Sequence, residues 1–251
     1  MAEPEHLTGD QAFRTQQLLG RDREMTYGGA LSFLRRKYTR DLNGADVVVS
    51  GVPFDSATTF RSGARLGPQA IRAASVQLAE LRAFSFGFDP FDFLAVADWG
   101  DCFLDSGYPA DVVPVVIEHA RTILASGAKM LTFGGDHFIS YPLLVAHAEK
   151  YGPISLVHFD AHSDTWPDDG IRLDHGSMFL RAAREGIVDP ATSLHLGIRT
   201  DNPHDHGFTV RDAPWIHENG IAATIAEVYR VVGNRPAYVT FDIDCLDPAF
   251  A

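Results

Sequence analysis

Three short segments of the 251-residue chain gather carboxylates and imidazoles at spacings that suit metal chemistry. They are Gly134-Gly135-Asp136-His137, Asp160-Ala161-His162-Ser163-Asp164, and Asp242-Ile243-Asp244-Cys245-Leu246-Asp247-Pro248, and each follows an apolar run. In an extended chain, residues two apart point the same way. Asp160, His162 and Asp164 are therefore expected on one side, and so are Asp242 and Asp244. His137 adds a further imidazole if the three segments are neighbours. Four carboxylates crowded at the end of a buried sheet would raise one another's pKa. Two divalent cations would cancel the charges of Asp160, Asp164, Asp242 and Asp244 and leave His137 and His162 neutral. An oxygen-rich ligand set with some imidazole and no thiolate favours Mn²⁺ over zinc or copper. Two-metal centres hold their ions about 3.5–4 Å apart and lower the pKa of a shared water, which yields hydroxide at neutral pH.

The remaining polar residues near these segments carry less. His158 shares the parity of Asp160 and His162 but lies deeper in its run, so it is expected to support the ligands or fill the core. Asp247 precedes Pro248 and is read as a turn residue. Cys245 has the opposite parity to the aspartates and is expected in the core. His204 and His206 fall in a polar loop, whereas His119, His147, His195 and His217 have no motif around them and are read as structural. His175, in Asp174-His175-Gly176-Ser177-Met178, lies at the expected start of a helix, where a loop imidazole can shuttle protons near pH 7. Other chemistries lose their usual support, since G-x-G-x-x-G, a Walker lysine, G-x-S-x-G, H-E-x-x-H and C-x-x-C do not occur.

The elements that must position these side chains follow from the hydrophobic pattern. Strand-like runs occupy 46–50, 93–97, 129–133, 154–159, 194–198 and 237–241, flanked by Gly and Pro. Helical patterns fall between them, at about 68–80, 111–126, 140–150, 177–185 and 222–232. Gly67-Pro68 suits a helix start, and Pro114 is expected in the first turn of its helix, where it is tolerated. This alternation predicts βαβ units in a three-layer α/β/α fold with a mainly parallel sheet. Ligand sites in such folds lie beyond the carboxyl ends of the strands, which is where the three segments stand. Residues 1–43 read as a polar N-terminal arm with a short helix near 30–38, and 44–251 as a single domain.

Composition limits the partners. With 21 Lys plus Arg against 33 Asp plus Glu, the net charge is −12, and apolar residues make up 45% of the chain. That balance is globular and argues against nucleic acid; the basic run Arg35-Arg36-Lys37 with Arg40 is expected to form a solvated helix face. A negative field favours a cationic small molecule. No stretch approaches the ~18 apolar residues of a membrane span, and the acidic N-terminus lacks secretory-signal features. Two cysteines, Cys102 and Cys245, make no disulfide framework, so the expected location is cytoplasmic.

The motifs also carry a resemblance. Gly-Gly-Asp-His, His-Phe-Asp-Ala-His-Ser-Asp and Phe-Asp-Ile-Asp-Cys-Leu-Asp-Pro resemble the three signature blocks of the ureohydrolases, the arginase and agmatinase family. Gly51–Asp55, Arg61–Arg72, Phe133–Phe138 and Leu196–Thr200 are similar to agmatinases, and the likeness runs from about residue 45 to the end. The resemblance implies an arginase-like fold and a binuclear manganese hydrolase that splits a guanidinium into urea and an amine. It implies that His137, Asp160, Asp164 and Asp242 hold one metal and Asp160, His162, Asp242 and Asp244 the other, with Asp160 and Asp242 bridging. It places His175 as a proton shuttle and Asp164 as the acceptor of the attacking hydroxide's proton, with no covalent enzyme intermediate. The setting of His175 is agmatinase-like, so the expected reaction converts agmatine to putrescine and urea, a step of polyamine synthesis. Arginase, guanidinobutyrase and guanidinopropionase activities are the alternatives within the family.

One departure accompanies the likeness. The chain stops at Ala251, whereas the resemblance implies a further Gly-rich loop and a helix, strand and helix. That later part would carry a guanidinium-binding glutamate and much of the surface through which family members form homo-oligomers. The expectation is a domain incomplete at its C-terminus, with every metal ligand present and weak or no activity as written. An inactive or regulatory relative, and a different two-metal hydrolase such as a deacetylase or phosphoesterase, are the competing expectations.

Overall fold

The computed structural model describes residues 17–20, 25–79, 81–105 and 107–251. The chain divides into two compact units, one of Met1–Asp55, Arg61–Tyr108 and Arg121–Gly135, the other of Ser56–Phe60, Pro109–Ala120 and Asp136–Ala251. Parts of the expected N-terminal arm, residues 1–16 and 21–24, lie outside the described residues.

The first unit carries β1 (Lys37–Tyr38), β2 (Val47–Val52), β3 (Val96–Asp101) and β4 (Lys129–Gly134), with helix α1 (Gly67–Ser75). Its strands are all parallel, in the order β1-β3-β2-β4. Val48, Val49 and Val52 are fully buried, as the apolar run of a strand covered on both faces requires. The short helix expected near 30–38 is replaced by a 3₁₀ turn at Phe33–Arg35 and by β1. Arg35 and Arg36, expected on a solvated face, are buried and donate to backbone carbonyls of Ala30, Met25 and Leu34. A guanidinium carries five donors, and here they tie down a segment with little regular structure.

α1 begins at Gly67-Pro68, as its sequence predicts. Its Arg72 makes a bidentate pair with Asp98 of β3 (2.8 and 3.0 Å) and a third contact to Asp101 (2.6 Å). Asp98 is fully buried and also accepts from Phe33 N (2.8 Å) and Gly100 N (3.0 Å). Asp55, 1% exposed, gathers the loop before α1 through Gly63 N and the Arg65 side chain.

The second unit carries α3 (Ser140–Tyr151), β5 (Ser155–Phe159), α4 (Met178–Arg184), β6 (Leu194–Ile198), β7 (Thr209–Asp212), α5 (Ala213–Val232) and β8 (Ala237–Phe241), preceded by α2 (Pro109–Ala125), which contributes residues to both units. Its strands are also all parallel, in the order β7-β6-β5-β8. Among the described residues the strands thus form two four-stranded parallel sheets. α2 opens at Pro109, so Pro114 lies inside the helix and not in its first turn. α5 reaches back to Ala213, well before the expected 222, because Asp212 caps it by accepting from Trp215 N (2.8 Å). Gly220, at φ 79°, interrupts its helical geometry. β7 has no counterpart among the expected strands, because its four residues show no strand periodicity. Among the described residues no helix is long and apolar enough to cross a membrane.

Arg72 gives the first unit a testable dependence. Removing one partner of a buried ion pair leaves the other charge uncompensated, at about 3–5 kcal/mol. Arg72→Met should lower the unfolding free energy by that amount in urea denaturation; a loss below about 1 kcal/mol would show that Asp98 is satisfied without it.

Candidate metal centre

All six expected ligands lie in the second unit. β5 and β8 are register-paired through Phe159 and Phe241, so the next residues, Asp160 and Asp242, emerge side by side at the carboxyl end of the sheet. Asp242 N continues the ladder by donating to Phe159 O (2.9 Å), and Asp160 N donates to Leu196 O (3.1 Å). Beyond this point neither segment stays extended, contrary to the alternation argument. Asp160 Oδ1 accepts from His162 N (2.6 Å) and turns the chain, while Asp164 adopts φ 51°. Left-handed backbone is uncommon outside glycine, and Asp is among the residues that tolerate it. The Asp164 carbonyl accepts the Phe179 N–H at the start of α4 (3.1 Å). Asp242 caps a 3₁₀ turn, Ile243–Cys245, by accepting from Asp244 N (3.2 Å). The ligands converge through turns rather than through strand parity.

The first segment arrives in the same economical way. Gly135 has φ 33°, and a Cβ there would lie 2.4 Å from Phe54 O and 2.5 Å from Val52 O, so only glycine fits. Asp136 caps the following turn by accepting from Phe138 N (3.0 Å), and its other oxygen accepts from Ala57 N (2.9 Å). That leaves His137 to face the carboxylates. Its Nδ1 stands 3.0 Å from Asp160 Oδ2, 3.0 Å from Asp164 Oδ2 and 3.2 Å from Asp242 Oδ2. A second grouping has His162 Nδ1 at 3.3 Å from Asp160 Oδ1 and 3.1 Å from Asp244 Oδ2. Asp160 turns one oxygen toward each grouping, the disposition a bridging carboxylate needs.

The cluster fits a metal by its own chemistry. His137 Nε2 lies 2.8 Å from Thr240 Oγ1, whereas Nδ1 is buried with no hydrogen-bond partner among the described residues. With the proton on Nε2, the Nδ1 lone pair joins those of three carboxylates, and four converging acceptors require a cation. Among the described residues, ligand atoms lie within 4.8 Å of one another in two groups, His137, His158, Asp160 and Asp164, and Asp160, His162 and Asp244. His158 is not free to ligate. Its Nε2 is 2.7 Å from Asp160 Oδ2 and its Nδ1 is 2.7 Å from His195 Nδ1.

Electrostatics carry the same message. Burial disfavours charge on Asp164 and Asp244 and raises both, Asp244 to about 6 with the neighbouring Asp242 and Asp160 adding to the rise. Burial also opposes ionisation of Asp160 and Asp242, but the adjacent imidazoles, His137 beside both and His158 beside Asp160, outweigh it and hold both low. Burial works against a charged His137 too, yet the three carboxylates raise it well above its ordinary value.

Arg199 reaches across from the end of β6 and donates to the carbonyls of Asp244 (2.5 Å) and Cys245 (3.2 Å), which holds the turn that carries Asp244. Cys245, expected in the core, is only half-buried. Asp247 makes the expected turn by accepting from Ala249 N (2.8 Å). His175 lies in the loop before α4, half-buried, with Nε2 at 3.3 Å from Thr59 Oγ1. Beside the cluster, Ser163, Thr165, His195, Arg199 and Asn202 help line a cavity of about 570 Å³. Asn202 donates to Ser163 Oγ (2.8 Å) and Thr165 Oγ1 (3.1 Å) there.

Comparison with known proteins agrees with this geometry. Residues 45–251 match the model of the arginase family. The chain is 62% identical over 249 residues to an agmatinase of Chromobacterium violaceum, covering 98% of this chain and 77% of that protein. It is similar in structure to a hypothetical agmatinase from Burkholderia thailandensis (TM-score 0.95, 62% identity, 98% of this chain and 78% of that one). The proclavaminate amidino hydrolase of Streptomyces clavuligerus has a TM-score of 0.83 at 36% identity, covering 91% of this chain and 78% of that one.

Cation binding by this cluster must compete with protons. A carboxyl titrating at about 6 is mostly ionised at pH 7.5 and mostly protonated at pH 5.5. Asp244 alone should weaken Mn²⁺ binding about fourfold across that interval, and protonation of His137 should add to it. Chelator-competition titrations at the two pH values should show the loss; equal affinities would contradict a carboxylate-and-imidazole site.

Proposed function

The chain belongs to the arginase family and is a metal-dependent hydrolase of C–N bonds in amidines, and we propose that it converts agmatine and water to putrescine and urea. The observation that carries this reading is the convergence of the six side chains at the strand ends of a chain 62% identical to an agmatinase. The net charge of −12 suits a substrate with a guanidinium at one end and an ammonium at the other. The same reading puts the protein in the cytoplasm, as a homo-oligomer.

In this proposal two Mn²⁺ ions are held per chain, one by His137, Asp160, Asp164 and Asp242, the other by Asp160, His162, Asp242 and Asp244. Bound there, divalent ions would supply hydroxide at neutral pH and stabilise the charge that develops on the substrate. The side chains supply the rest. Water adds to the guanidinium carbon, the bond from that carbon to the alkyl nitrogen breaks, and the departing amine takes up a proton. Asp164, whose carboxyl is raised by burial, can hold the proton given up by the attacking water. His175, half-buried in its loop and hydrogen-bonded to Thr59, can exchange protons between solvent and the leaving amine. Thr240 keeps the proton of His137 on Nε2, which leaves Nδ1 free as a ligand.

Substrate ranking tests the proposal. With Mn²⁺, urea release should be at least about a hundredfold more efficient in kcat/KM from agmatine than from arginine or guanidinobutyrate, since only agmatine pairs a guanidinium with a terminal ammonium and no carboxylate. Equal or reversed ranking would reassign the substrate within the family. His175→Asn should lower kcat by about 10²-fold, in the range of general acid–base contributions, with KM little changed. An unaltered kcat would remove His175 from proton transfer.

A further inference from the structure

A row of polar side chains forms the floor of the cluster. In the β5–β8 register His158 stands opposite Thr240, and in the β5–β6 register it stands opposite His195. Thr240 and His158 each lie two residues before a cluster aspartate, Asp242 and Asp160. Thr240 meets His137 at 2.8 Å, and His158 meets Asp160 at 2.7 Å. His195 touches no cluster carboxylate. Its polar contact is with His158, Nδ1 to Nδ1 at 2.7 Å, and its Nε2 has no hydrogen-bond partner among the described residues.

Hydrogen-bond accounting orders the protons along this chain. An ionised carboxylate only accepts, so the contact to Asp160 Oδ2 places a proton on His158 Nε2. With Nε2–H turned to Asp160, the contact between the two Nδ1 atoms has room for one proton, and a donor at His195 Nδ1 completes the row. Burial keeps His195 well below the ordinary imidazole value, so its neutral ring has a single N–H to place. His195 is 1% exposed and packs on Phe208, with ring centroids 4.5 Å apart. An aromatic hydrocarbon would fill that space without burying an unpaired nitrogen, whose burial carries a cost. What imidazole adds over phenyl at this position is the bond to His158.

We propose that His195 is a positioning residue for the metal centre: by donating from Nδ1 to His158 it fixes the ring whose Nε2–H holds Asp160 Oδ2, and so sets how tightly the cluster binds its ions. The inference rests on the metal-centre reading above. Outer partners of ligands change metal affinity by about 10–100-fold when removed. Two variants isolate the effect. His195→Phe keeps the ring volume and loses the donor, while His195→Asn places an amide N–H near the position of Nδ1.

Chelator-competition titration with Mn²⁺ measures the outcome, and urea unfolding of the metal-free forms reports the fold separately. His195→Phe should bind Mn²⁺ at least about tenfold more weakly than the native chain, and His195→Asn should recover to within about threefold of it. Unchanged affinity in His195→Phe, or equal loss in both variants, would overturn the inference while leaving the metal centre intact. A native chain that takes up no Mn²⁺ would overturn the metal-centre reading and this inference with it. Should His195→Phe fail to fold, ¹⁵N imidazole spectra of the native protein loaded with diamagnetic Mg²⁺ decide. Protons on His195 Nδ1 and His158 Nε2 are expected, and a proton on His195 Nε2 would overturn the assignment.

Discussion

Repulsion among acceptor atoms is the constraint on which the second unit is built. Three carboxylate oxygens stand within 3.0–3.2 Å of one imidazole nitrogen. In a low-dielectric setting these groups interact far more strongly than in water. Such an arrangement is sustainable only around positive charge, whether protons on the acceptors or divalent ions among them. The raised values of His137, Asp164 and Asp244 are the proton version of that demand. The metal version satisfies the same atoms and leaves the imidazoles neutral, as metal ligands must be.

The surrounding structure holds the acceptors together against that repulsion. Register pairing of β5 with β8 sets Asp160 beside Asp242. Backbone donors at turns fix their side-chain oxygens, through His162 N on Asp160 and Asp244 N on Asp242. Ala161 N holds Asp244 Oδ1 at 3.1 Å, and Arg199 holds the carbonyls of the same turn. Asp164 keeps a left-handed backbone to reach the site, a local cost of the kind often found where function fixes geometry. Beneath them, Thr240 and His158 supply directional bonds from the sheet itself.

Much of this was legible in the sequence because it depends on local chemistry. The apolar runs marked six of the eight strands among the described residues, and the acidic segments stood at the ends of three of them, where parallel sheets place ligand sites. Six candidate ligands could be named from residue type and position, and the structure brings them together. The route by which they meet could not. Strand parity put Asp164 beside Asp160 and His162, but the chain leaves the strand at Phe159 and reaches the same place through a bend. His195 was read as structural because its contact with His158 depends on the β5–β6 register, which links positions 37 residues apart. The first half of α5 was missed because Gly220 interrupts the periodic pattern, and β7 because four residues are too few to show one. Arg35 and Arg36 looked like a solvated basic run, yet tertiary context buries their guanidinium groups against backbone carbonyls.

Anomalous diffraction at the manganese edge, from crystals of the protein equilibrated with Mn²⁺, puts the central claim to its most direct test. The account predicts two peaks flanking Asp160, one beside His137 and Asp164 and the other beside His162 and Asp244. Peaks elsewhere, or none at these side chains, would contradict it.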